Sequence, residues 1–106
     1  MAWVYLLFAG FAEVFWATFL KLSEGFSKPM YSVITVVGMI VSFLLLSQAT
    51  KTLPLGTAYG IWTGIGALGA VVVGIMVFKE PASAMRLVFA GVLLIGIIGL
   101  KITSPT

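Results

Sequence analysis

Four apolar runs of about twenty residues each, separated by short polar breaks, dominate this sequence and limit what it can fold into. A hydrocarbon core of about 30 Å takes roughly 20 helical residues to cross, so each run is long enough to span a bilayer. The spans are expected at about residues 3–20, 30–49, 55–78 and 84–101. KLSEGFSKP (Lys21 to Pro29), TKTLPLG (Thr50 to Gly56) and KEPAS (Lys79 to Ser83) separate them, and a polar tail, ITSPT, follows. Pro54 is placed to enter the first turn of the third span. Strands of a membrane barrel would alternate polar and apolar residues over about ten positions. These runs stay apolar for about twice that, so the expected fold is all-α and integral to the membrane: one transmembrane domain of four tightly packed helices over residues 1–106.

Composition supports this reading. Apolar residues make up 61% of the 106, against six basic and three acidic side chains, too few to cover a water-facing surface. No soluble domain is expected within these 106 residues. The basic residues are scattered, which suits helix ends near headgroups and gives no surface for nucleic acid. Cysteine and histidine are both absent, which removes disulfides, thiolate and imidazole chemistry and ordinary zinc sites. MAWVYLLFAG carries no Lys or Arg before its apolar run and leads into no A-x-A-like site, so the first span is expected to be retained and not cleaved as a signal peptide.

Orientation is evenly balanced. Lys21, Lys28, Lys79 and Arg86 fall on one side, and Lys51, Lys101 and the terminal amine on the other, so basic residues in the loops give no clear inside face. Four helices enclose little interior, and self-association is expected. Gly60, Gly64, Gly66, Ala67, Gly69, Ala70 and Gly74 in the third span, with Gly91, Gly96 and Gly99 in the fourth, would let helix backbones approach closely. Packing within one subunit is the simpler role for each.

The acidic residues divide by depth. Glu24 and Glu80 lie in polar breaks beside Lys21, Lys28 and Lys79, where solvated pairing worth roughly 0–1 kcal/mol is expected. Glu13 lies ten residues into the first span, about 15 Å deep, and no span supplies a basic residue to neutralise it. A bare carboxylate at that depth costs at least a few kcal/mol, so it must take a proton or bind a cation. Two species that exclude one another at one carboxylate are coupled in their movements, which is the physical core of an antiporter. The plainer alternative is a permanently protonated Glu bonded to a neighbouring helix.

Residues around Glu13 suit a cation site. Gly10, Glu13 and Ala17 share one helix face, with Trp16 one turn after the acid. Tyr59, Trp62, Thr63 and Gly66 form a stripe on the third span, and Ser42 is the deepest hydroxyl of the second. Aromatic rings hold flat cations by stacking and cation–π attraction, and Tyr, Trp and Ser donate hydrogen bonds to carboxylates. On periodicity alone, interfacial anchoring or helix packing is the plainer role for Trp16, Tyr59 and Trp62, and it accounts equally well for Tyr59, which lies nearest a span end.

The segments AEVFWATFLKLSEGF (Ala12 to Phe26), SQATKTLPLGTAYGIWTGIGALGA (Ser47 to Ala70), FKEP (Phe78 to Pro81) and GIIGLK (Gly96 to Lys101) resemble the small multidrug resistance family, in particular its guanidinium-exporter type. Trp16 and the TLPLGTAY…WTGIGALG run carry the likeness to that type. The resemblance implies a multi-pass protein of the bacterial inner membrane that works as an antiparallel, dual-topology homodimer. Each subunit would contribute Glu13 to a shared site, binding protons and guanidinium-type cations alternately. By the same resemblance, Ser42 and Trp62 hydrogen-bond the Glu13 carboxylate, Trp16 lines the pocket, and Tyr59 helps switch access between the two sides. Met39 and Phe43 would line a side portal; Gly10, Gly60 and Thr63 are further candidates for the lining. The family usually has Ala beside the binding-site Tyr, and Gly60 here is expected to widen the pocket or loosen the third helix. No enzyme chemistry, metal or cofactor is implied. Alternatives are an exporter of quaternary or lipophilic cations, one half of a heterodimeric pair, a passive channel, or an accessory subunit without transport activity.

Overall fold

A computed structural model describes residues 1–104. Pro105 and Thr106, the last residues of the polar tail and of the expected 1–106 domain, lie outside the described residues. Four helices are present: α1 (Ala2–Leu22), α2 (Pro29–Ala49), α3 (Leu55–Met76) and α4 (Ala84–Ile102). All are long and apolar enough to cross a membrane. α3 stops short of the expected Phe78: the Glu80 N–H donates to the Gly74 carbonyl at 3.0 Å, and Lys79 takes a left-handed φ of 56°. This ends the helix much as a C-terminal αL residue does elsewhere.

Local chemistry explains the other ends. Ser23 is fully buried below α1, where its hydroxyl donates to the Leu20 carbonyl at 2.6 Å and accepts from the Phe26 N–H at 3.1 Å. The turn then runs through positive φ at Glu24, Gly25 and Phe26. Pro29 opens α2 at a position where its missing N–H costs nothing. Pro54 caps α3 from just outside its first turn. Ser83 caps α4 by accepting from the Arg86 N–H at 3.3 Å.

The helices do not form the tight bundle expected of them. α1 packs against both α2 and α3, α2 and α3 meet at few points, and the backbone of α4 approaches only that of α3. The result is a slab about 42 × 34 × 16 Å in extent, with no buried residue on α4. Lipid supplies no hydrophobic drive to close four apolar helices on one another, so they associate where small residues permit close packing. An added Cβ at Gly38 would come within 2.8 Å of Trp16 Cβ, joining α2 to α1, and one at Gly64 within 2.7 Å of Ile97 Cγ1, joining α3 to α4. Gly69 leaves room for Val14 across the α1–α3 seam. Packing within the subunit thus accounts for these glycines. It does not account for Gly91, Gly96 or Gly99, which have no neighbour within 4 Å of an added Cβ.

The polar breaks pair differently from expectation in one place. Glu24 meets Lys28 at 3.3 Å, both well exposed. Glu80 meets Arg86 at 3.1 Å, not Lys79, because the chain folds back after Lys79 and lays the Glu80 carboxylate over Gly74. Arg86 also donates to the Pro81 carbonyl at 2.7 Å, tying the break to the start of α4.

Candidate functional site

Three helices meet at Ser42, one turn of α1 away from Glu13. The Ser42 hydroxyl on α2 donates to the Ala9 carbonyl on α1 at 2.7 Å, and the Trp62 indole N–H on α3 donates to the Ser42 oxygen at 2.9 Å. Ser42 and Ala9 are fully buried and Trp62 is 6% exposed, so this relay lies in the small apolar core formed with Leu6, Ala58 and Ile61. Ala9 lies four residues before Glu13, and in a regular helix its carbonyl is the acceptor of the residue-13 amide. Ser42 therefore binds the turn of backbone that carries the acid.

This differs from the expectation that Ser42 and Trp62 bond the Glu13 carboxylate. A serine hydroxyl and an indole each have one proton to donate. In this chain Ala9 takes the first and Ser42 the second, so neither is left for Glu13.

Glu13 instead lies against α3. Its carboxylate occupies the space that a side chain at Gly66 would fill, so that the acid rests directly on the α3 backbone. Glu13 is half-buried, and its Oε1 is shielded from solvent without a hydrogen-bond partner among the described residues. The Trp16 indole N–H, one helical turn on, is likewise shielded and unpartnered. An unpaired buried acceptor and an unpaired buried donor on one helix are costly unless a ligand, an ion or a proton uses them.

An aromatic row extends across the same three helices. Trp16 and Phe43 meet with ring centroids 6.5 Å apart, Phe43 and Trp62 at 5.7 Å, and Trp62 and Tyr59 at 5.3 Å, each edge-to-face. Trp62 is the inner member. Tyr59 at 53% exposed and Phe43 at 45% exposed present open faces, so one chain supplies a wall and not a closed chamber. Met39 is half-buried one turn before Phe43 on α2, and Thr63 is exposed.

Two further candidates lie elsewhere. An added Cβ at Gly10 would meet Ile65 Cγ2 at 2.6 Å, so Gly10 belongs to the α1–α3 seam. One at Gly60 would meet Leu100 Cδ1 at 3.0 Å, which turns Gly60 toward α4 and away from the aromatic row. The methyl missing at this position leaves room at the α3–α4 contact. Two participants went unassigned in the sequence. Gly66 lies on the Tyr59–Trp62 stripe, and that spacing was its signal; Ala9 acts through its backbone carbonyl, for which no sequence signal exists. No group of three or more His, Cys, Asp or Glu able to hold a metal occurs among the described residues.

The chain is similar to known proteins over nearly its whole length. The family model described as Small Multidrug Resistance protein matches residues 1–100. A guanidinium exporter of Salmonella typhimurium strain LT2 is 53% identical over 104 residues, covering 98% of this chain and 99% of that protein. One from Escherichia coli strain K12 is 52% identical over the same span, and one from Citrobacter freundii 51%.

Proposed function

Since this chain belongs to the small multidrug resistance family, we propose that it exports guanidinium and small guanidinyl cations across the bacterial inner membrane in exchange for protons. It is a multi-pass exporter and not an enzyme. The observation that carries the exchange mechanism is Glu13: a carboxylate within a membrane span, laid on the α3 backbone, with Oε1 unpartnered and no basic side chain paired with it among the described residues.

Each state of the cycle satisfies that carboxylate differently. With a proton bound, it is neutral and tolerable in a medium of low polarity. With the proton gone, a guanidinium restores neutrality and directs N–H donors at the carboxylate oxygens in a fixed planar fork. The Trp16 N–H is free to donate to the ionised carboxylate and steady it. The edges and faces of Phe43, Trp62 and Tyr59 offer a flat cation an apolar, π-rich wall. A quaternary ammonium has no N–H to match the carboxylate, so donor matching and not charge sets the preference. Gly60 gives no reason to expect a wider substrate range, because it faces Leu100.

Alternating access follows if two antiparallel copies bring their open aromatic walls together, with both Glu13 carboxylates in one chamber. The exposed Tyr59 and Phe43 and the balanced loop charge support this assembly. Protons entering down their gradient would occupy Glu13 and release the cation outward, with no covalent step.

The test is transport by purified protein in liposomes, recording currents evoked by guanidinium and by tetraethylammonium. Guanidinium currents that need both Glu13 and a proton gradient, with little response to tetraethylammonium, are expected. Guanidinium currents persisting in Glu13→Gln would overturn the exchange mechanism; strong tetraethylammonium currents would assign the chain to the multidrug type. Labelling of a single cysteine at Thr52 from both sides of the membrane is the outcome expected of dual topology, and labelling from one side only excludes it.

A further inference from the structure

A groove runs along a different face of the slab from Glu13. Leu7, Phe11 and Val14 lie at i, i+4 and i+7 on α1 and form one wall, Ile65 on α3 lies in the floor, and Leu94 and Ile97 on α4 form the other wall. This cleft of about 590 Å³ continues through Leu7, Ile65 and Ile97 into a second of about 320 Å³, which ends at Trp3 and Lys101. Lys101 is the one charged residue lining either part. Its ammonium lies 5.1 Å over the Trp3 ring, at the last turn of α4 and the first of α1, where lipid headgroups meet the helix ends.

We propose that this groove is a binding site for an anionic phospholipid, with the phosphate on the Lys101 ammonium and an acyl chain lying along Leu7, Ile65 and Ile97. The apolar walls suit a hydrocarbon chain, and the lone cation at the mouth suits an anionic headgroup. Charge also argues against a second copy as the occupant. The chain has three acids: Glu24 is paired with its own Lys28, Glu80 with its own Arg86, and Glu13 lies on the α3 backbone. Among the described residues, the two acids near helix ends are each paired within their own chain and Glu13 lies mid-span, so a second copy offers no unpaired side-chain carboxylate at the depth of Lys101, whereas a phosphate meets it directly. At the far end of α1 the charge is mixed: Lys21 lies 5.3 Å over the Phe78 ring in a small cleft that also contains Glu80. The headgroup therefore belongs at the Lys101 end.

The test is native mass spectrometry of the full-length protein exposed to equal amounts of phosphatidylglycerol and phosphatidylcholine of the same chain length. The unaltered protein should retain phosphatidylglycerol preferentially. Lys101→Gln should lower the ratio of the two bound lipids by about fivefold, the effect of one lysine near a membrane surface. Lys51→Gln, a basic residue outside the groove, should leave it unchanged. Leu7→Trp keeps every charge but fills the groove, and should reduce retention of both lipids. Equal retention of the two lipids by the unaltered protein, an equal loss in Lys51→Gln, or no effect of Leu7→Trp would each overturn the proposal. So would oxidative cross-linking of Leu7→Cys between two copies, which would place a protein helix in the groove.

Discussion

The hydroxyl of Ser42 is held between Ala9 and Trp62: it donates to the carbonyl of one at 2.7 Å and accepts the indole N–H of the other at 2.9 Å. One small side chain thereby joins α1, α2 and α3 one helical turn from the acid.

Ser42→Ala should destabilise the fold as well as reduce transport. It leaves the Trp62 N–H buried without an acceptor, a cost of about 1–3 kcal/mol. Ser42→Thr keeps the hydroxyl and should recover part of the loss. Midpoints of thermal unfolding in detergent, measured beside guanidinium flux, check both; a midpoint unchanged in Ser42→Ala would mean that the relay does not hold the helices together.

Gly66→Ala should impair transport more than folding. The added methyl occupies the place of the Glu13 carboxylate and forces the acid off the α3 backbone. Gly56→Ala is the matching control, because nothing lies within 4 Å of a Cβ added there, and Ala favours a helix by up to about 1 kcal/mol over Gly. Flux assays on the pair should show a loss in the first and none in the second.

Proton and cation compete for one carboxylate, which sets the sign of the pH response. Lower pH on the loading side fills Glu13 with protons and raises the apparent KM for guanidinium, and higher pH lowers it until the carboxylate is fully ionised. Where the protonated form dominates, linkage sets a limit of about tenfold per pH unit for one proton per site. Binding measured by calorimetry across a pH series reads this slope. Guanidinium affinity independent of pH would separate cation binding from Glu13 protonation.

Gly60→Ala should leave the preference for guanidinium over tetraethylammonium as it is. The new methyl meets Leu100 Cδ1 at 3.0 Å, the end of a flexible side chain, so the α3–α4 contact adjusts with a stability change of about 1 kcal/mol or less. Currents evoked by the two cations provide the check. A shift toward tetraethylammonium would mean that the α3–α4 contact controls the pocket from behind.

Much of this protein is already legible in its sequence. Twenty-residue apolar runs require helices in a membrane, because no other open structure satisfies its backbone there. The depth of Glu13 and the absence of any basic partner in the spans make it the residue that must bind something, and the Tyr59–Trp62 stripe falls on one face by periodicity alone. Tertiary structure decided what those residues do with their polar atoms. A hydroxyl or an indole has one proton to donate, and only the packing of α1, α2 and α3 directs the protons of Ser42 and Trp62 to Ala9 and Ser42, leaving Glu13 on Gly66. The direction in which a glycine faces is likewise invisible in sequence, since it has no side chain to mark a polar or apolar face. Gly60 therefore read as part of the pocket until the placement of Leu100 turned it toward α4. The open slab follows from the same physics: apolar surface specifies residence in lipid but not which helix packs on which, and that choice rests on close contacts between small residues and their neighbours.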